Sequence, residues 1–196
     1  DMRQREKLLD ILDRYNVKAT FFVTNGKPDY QNLIAQEAQR GHTVAIHSAS
    51  HDYAKIYQSV DAYFADFDEM NSIITAQTGK AADLVRFPGG SSNTISKTYC
   101  YGIMSQLVCA VEERGFRYCD WNVSSGDAGG TTSTSQVVAN VIAGIKSNNV
   151  SVVLQHDIKN FSVDAVEQII QWGLSEGYTF LPMTSTTPMS HHGVNN

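Results

Sequence analysis

The feature that most limits what this chain can fold into is a strict alternation of short apolar runs with longer stretches of helical period. "REKLLDILDRYN" (5–16) sets Leu8, Leu9, Ile11 and Leu12 on one helical stripe. "KATFFVT" (18–24) then reads as a short buried strand, and "DYQNLIAQEAQRG" (29–41) as a helix stopped by Gly41. The beat repeats: strand 42–47, helix 59–79, strand 83–86, helix 105–115, strand 116–123, helix 132–147, strand 150–156, helix 162–177, and a last strand over 178–183. Ser59 or Asp61 opens the long helix and Gly79 closes it. Strands that each feed a helix build parallel βα units with the helices outside the sheet. Six strands fit a small or incomplete (β/α) barrel or an open doubly wound sheet. The pattern starts with a helix, which places a first strand upstream of Asp1. No GxGxxG follows a strand, so a dinucleotide site has no support.

Composition narrows the class. At 196 residues the chain is long enough for one domain with a sizeable core. Its 42% hydrophobic and 18% charged content exclude disorder. The net charge of −5, with no Lys/Arg stripe or basic tail, argues against nucleic acid as a partner. No apolar run approaches the roughly 20 residues that span a bilayer. The chain opens at "DMRQREK" rather than at an initiator Met and reads as a processed or excised piece. Residues 1–185 form the expected domain, and 186–196 read as a loop-like tail. Three cysteines cannot all pair with one another, and Cys109 and Cys119 read as small buried hydrophobes.

The unusual polar residues fall in one kind of place. His47 closes strand 42–47 with His51 just beyond; Arg86 closes 83–86; Asp127 follows 116–123; His156 closes 150–156. All lie at the carboxyl ends of strands, where parallel α/β folds build their active sites. Two imidazoles four residues apart can share a Zn²⁺-like ion, whose third ligand could be a carboxylate or His156. "HSASH" is not the protease motif HExxH, because Ser48 follows His47 and no Glu lies between the histidines. His156 at the mouth of the core suits a general acid, and Asp127 could orient it. Arg86 could clamp a carboxylate through two hydrogen bonds. Gly89 and Gly90 let backbone N–H groups approach a substrate oxygen, though a plain turn explains them equally well. His191 and His192 read as solvated, and His42 as an exposed strand start.

Together these segments resemble the polysaccharide deacetylase family, the NodB-homology domains of carbohydrate esterase family 4. The resemblance runs through "KATFFVT", "GHTVAIHSASH", "RFPGG", "DWNVSSGDA" and "VVLQHD", in the family's order, and is closest to bacterial peptidoglycan and chitin deacetylases. It implies a distorted (β/α)₇ TIM-like barrel, here lacking its first strand and so N-terminally incomplete. It implies a divalent metal ion held by His47 and His51, Zn²⁺ first, with Co²⁺, Ni²⁺ or Mn²⁺ as alternatives. It assigns Arg86 to holding the catalytic base, Asp127 to tuning the acid His156, and Gly89, Leu154 and Trp121 to substrate binding. The implied partner is an N-acetylated glycan polymer, peptidoglycan GlcNAc before chitin oligosaccharides, deacetylated outside a bacterial cell or at its envelope. The alternatives are a catalytically inactive glycan-binding barrel and an acetylxylan esterase. The family's first motif, T-F-D-D-G, is absent, and with it the base and one metal-binding aspartate. Gly89 stands where the family carries Tyr; its backbone N–H can still donate. Ser124 and Ala128 stand where the family carries Asp and Trp, and the lost Trp implies a wider groove.

Overall fold

The computed structural model describes residues 2–196 and divides them into two compact units. Asp1 lies outside the described residues. One unit combines the chain up to Ala19 with Trp121–Pro182; the other combines Thr20–Asp120 with Met183–Asn196. The architecture is α/β with parallel sheets.

The larger unit holds a four-stranded parallel sheet, in the order β1 (Thr20–Thr24), β2 (Thr43–Ser48), β3 (Leu84–Val85) and β4 (Arg117–Tyr118). Helices α2 (Asn32–Gln39), α3 (Tyr53–Ile56), α4 (Val60–Thr78) and α5 (Ile103–Glu113) connect or flank these strands. The apolar face of α4 explains its place: Tyr63, Phe64, Phe67, Met70 and Ile74 are all buried. Its ends follow the sequence signals. Ser59 is the N-cap, accepting from the Ala62 N–H, and Gly79 ends the helix in the left-handed region at φ 78°. The β1–β2 register runs evenly to Val23–Ile46 and then jumps to Thr24–Ser48. His47 is thus the extra residue of a bulge, a device that re-aims side chains beside sites.

The smaller unit pairs two short parallel strands, β5 (Val123–Ser124) and β6 (Val153–Leu154). Around them lie α1 (Arg3–Arg14), α6 (Thr134–Lys146) and α7 (Asn160–Ser175). Val137, Val141 and Ile145 of α6 pack with Ala165 and Ile169 of α7 in one apolar cluster. Helix α6 lies so close to β5 that a Cβ on Gly144 would stand 2.4 Å from Val123 Cγ1. Across the α1–α7 face, Arg5 grips Asp157 with two hydrogen bonds, and Tyr15 donates to Glu167 at 2.8 Å.

Several expectations need correction. The apolar run 116–123 is not one strand: β4 and β5 belong to different sheets, with Cys119–Asn122 as connection. Residues 178–183 form no strand, although Met183 is tied to Thr20 and Thr43 by hydrogen bonds at 2.7 Å. The described strands make sheets of four and two. His42 is buried, with its ring edge-on to Phe21 at 5.2 Å, because it opens an inner strand. Cys109 is exposed, since the buried stripe of α5 is Ile103, Met104, Leu107 and Val111; Cys119 is buried as expected. The tail is loop but not a solvated appendage. His191 stacks on Tyr118 at 3.8 Å and donates from Nε2 to its carbonyl, while the His192 N–H donates to Asp120.

Candidate active site

The larger unit brings His47, His51 and Arg86 together. His47 Nδ1 lies 2.6 Å from the Arg86 carbonyl oxygen. A carbonyl can only accept, so Nδ1 carries the hydrogen and Nε2 the lone pair, the form in which imidazole binds a metal. The His51 ring centroid is 5.0 Å from that of His47. His51 adopts φ 51°, an uncommon conformation outside glycine. Its N–H donates to Ser48 Oγ at 2.9 Å, and Ser48 Oγ donates in turn to Asp66 at 2.5 Å.

Asp66 is the anchor of this loop, and the motif reading missed it. Its carboxylate, buried on α4, accepts from the Ser48 and Ser50 hydroxyls and from the Ala49 and Ser50 N–H groups. Asp66 thus fixes the backbone that carries His51, while His47 is held through the Arg86 carbonyl. Among the described residues no group of three His, Cys, Asp or Glu side chains forms a complete ligand set.

Arg86 is no surface charge. It is buried, stands 4.2 Å over the Phe22 ring, and donates to the carbonyls of Cys119 and Asp120 at 2.9 Å each. Burial pulls its pKa down from the usual guanidinium value, against the contrary pull of Cys119 and Asp120. The Asp120 carboxylate, also missed, accepts from the Ser91 N–H and hydroxyl and the His192 N–H. It fixes the turn of "RFPGG" through Ser91, the residue that follows it. Gly89 in that turn has φ +79°, and a Cβ there would lie 3.0 Å from Asn93 Cβ.

The smaller unit brings Asp127 and His156 together. Asp127 Oδ1 accepts from His156 Nδ1 at 2.7 Å, while Oδ2 accepts from the His156 N–H at 2.7 Å and the Ser162 hydroxyl at 2.6 Å. Burial would raise the Asp127 pKa. The hydrogen bonds from His156 and Ser162, with the His156 charge, outweigh it and hold the carboxyl down at about 2. An ionised Asp127 therefore fixes the tautomer and direction of the ring and leaves Nε2 as the ring nitrogen outside this bond. Lys159 also donates to the Asp127 carbonyl. A groove of about 510 Å³ opens beside the pair, lined by Asp127, Thr131, Thr132, Lys159 and Phe161 among others. Leu154 lies half-buried in β6, and Trp121 half-buried just before β5.

These features define a parallel α/β protein whose strand ends carry a pair of neighbouring imidazoles and a carboxylate-oriented histidine. Residues 3–101 match the family described as "Polysaccharide deacetylase". The chain belongs to that family. It is 70% identical, with a TM-score of 0.96 over 97% of this chain and 87% of the other, to the catalytic domain of a peptidoglycan N-acetylglucosamine deacetylase from Eubacterium rectale. The polysaccharide deacetylase Bc1974 from Bacillus cereus is 30% identical with a TM-score of 0.80, over 97% of this chain and 89% of that one. A Bacillus cereus peptidoglycan-N-acetylglucosamine deacetylase is 30% identical over 89% of this chain. This chain spans 62% of that relative's length and 64% of the putative polysaccharide deacetylase YheN of Bacillus subtilis.

Proposed function

We propose that the chain is a hydrolase that removes the N-acetyl group from GlcNAc residues of peptidoglycan. The observation that carries the reaction class is the Asp127–His156 pair: a buried ionised carboxylate orienting a half-exposed imidazole. Hydrolysis of an acetamide breaks the C–N bond, adds water across it, and releases acetate and an amine. The departing nitrogen is a poor leaving group until protonated. His156 Nε2 is the group that delivers this proton, and Asp127 stabilises the imidazolium before transfer. Support for the glycan comes from the 70% identity to the Eubacterium rectale catalytic domain, which is named for that substrate.

His47 and His51 fit a divalent ion, a reading supported by the His47 tautomer, the 5.0 Å separation of the two rings and the hydrogen bond that ties the His51 backbone to Ser48. Zn²⁺ is the first choice for imidazole ligands, with Co²⁺, Ni²⁺ and Mn²⁺ as alternatives. When bound, such an ion supplies Lewis acidity to the acyl oxygen and acidifies water. The Gly89 N–H is assigned to the acyl oxygen, Arg86 to holding the base, and Leu154 and Trp121 to the sugar's surroundings. The distorted (β/α)₇ barrel and an extracellular or envelope location belong to the same reading, supported by family membership.

The test is direct. The protein is supplied with Zn²⁺ or Co²⁺ and incubated with peptidoglycan and with N-acetylated chito-oligosaccharides, and released acetate and new amines are measured. Release from peptidoglycan in preference to chito-oligosaccharide is the expected result. A folded, metal-loaded protein that releases acetate from neither would end this reading. Release only from acetylated xylan would make it an esterase.

A further inference from the structure

The turn at Gly89 carries no side chain, and another residue stands beside the gap. Tyr53, the first residue of α3, packs its ring against His51, with centroids 5.5 Å apart, and stacks on Tyr57 at 6.0 Å. Its hydroxyl comes within 3.4 Å of the point where a Cβ on Gly89 would stand. A side chain at Gly89 would be costly. Its positive φ and the 3.0 Å approach to Asn93 Cβ disfavour any larger residue. The Gly89 N–H and the Tyr53 O–H find no acceptor among the hydrogen bonds of the described residues, whereas neighbouring Gly90 donates to Phe87 and Tyr57 donates to Pro88. Two unengaged donors thus lie close together beside the histidine pair. Tyr57 and Tyr63 behind them are buried, so the hydroxyl of Tyr53 is the one that ligand can reach.

We propose that Tyr53 is a second hydrogen-bond donor to the acyl oxygen of the substrate, acting beside the Gly89 N–H. This rests on the deacetylase reading. The carbonyl oxygen gains negative charge as water adds, so a donor held in place by ring packing binds that charge more strongly than the neutral carbonyl. The ring contacts with His51 and Tyr57 supply the placement, and the hydroxyl supplies the chemistry. Tyr53→Phe separates the two, since it keeps the ring and removes only the oxygen.

The experiment compares wild type and Tyr53→Phe, both loaded with Zn²⁺, on an N-acetylated chito-oligosaccharide. The expected result is a kcat lower by about 10²-fold with KM changed less than about threefold, the range for losing one oxyanion donor. Zn²⁺ affinity, measured by titration, should match wild type, because the ring on His51 is retained. A phosphinate analogue of the tetrahedral state should lose affinity in proportion to kcat/KM. An unchanged kcat in an otherwise active enzyme overturns the proposal, as does a loss confined to KM or explained by lost Zn²⁺. Inactive wild-type protein would instead strike at the deacetylase reading itself.

Discussion

Asp127 is the residue whose protonation most directly ties stability to chemistry. Its folded-state pKa is about 2, against about 3.9 for an unperturbed aspartate. A depressed carboxylate contributes stability that is complete above the unfolded value and is lost as pH falls through the folded one. Between about pH 4 and pH 2 the protein should lose about 2 kcal/mol from this group alone. Urea midpoints across that window should therefore fall less steeply in Asp127→Asn than in wild type. Parallel curves would mean that the carboxylate is no better held in the folded state than in the unfolded one. The two histidine sites should separate cleanly under substitution. His156→Ala should lower kcat by about 10²–10⁴-fold while sparing metal affinity, since the proposed mechanism gives it proton transfer and no metal bond. His47→Ala should lose metal first. Calorimetric Zn²⁺ titration beside acetate release decides it, and equal metal loss in both variants would make His156 a ligand. At this scale the catalytic candidates were legible because they are chemically unusual residues at strand ends. Asp66 and Asp120 were not, because each is wrapped in serines and backbone N–H groups that no motif spells out. One signal existed for Asp66. It shares the helical face of Tyr63 and Met70, and a carboxylate on an apolar stripe needs local donors.

Helix α4 does more than cover the sheet. Through Asp66 it organises residues 48–51, where four donors converge on one buried carboxylate and His51 is tied to Ser48. Asp66→Ala leaves the Ser48 hydroxyl and Ala49 N–H buried without their acceptor. The cost should be about 3 kcal/mol, readable as a lower urea midpoint. The same change should weaken Zn²⁺ binding by about 10–100-fold, because the partners that orient metal ligands matter nearly as much as the ligands. Retained affinity in a destabilised variant would show that the bulge alone holds His47 and His51 in place. Helices were the readable elements, since long amphipathic periods and caps at Ser59, Ser133 and Gly79 are local signals. Strands were less so. Leu84–Val85 and Val153–Leu154 are two-residue pairings whose extent depends on distant partners, and the run 116–123 divides because its halves pair with different neighbours.

At the scale of the whole molecule, each unit is assembled from distant stretches of chain. Alternating strands and helices made the parallel α/β class readable, since parallel neighbours need a crossover that carries the chain back to the same end of the sheet. They could not show that residues 183–196 belong with 20–120, because that association rests on single hydrogen bonds and ring contacts rather than on a periodic pattern. The Asp120 N–H donates to the Ser190 carbonyl at 2.7 Å, and His191 stacks on Tyr118. Asn196 is buried, its side chain accepting from the Gly102 N–H and donating to Ser96, while its carbonyl accepts from Ser105. Deleting residues 190–196 removes all of these contacts and uncovers one side of Asp120, which orders the turn after Arg86. The melting temperature should fall by about 2–8 °C, the shift expected of a loss of about 1–2 kcal/mol in a chain of this size. Hydrogen exchange locates the damage: amides at Gly102, Ser105, Asp120 and Ser91 should lose protection. His156, whose N–H donates to Asp127 within the other unit, should keep its own. If the four amides stay protected after the deletion, the tail is a passenger, and the turn carrying Gly89 is held by Arg86 and Ser91 without it.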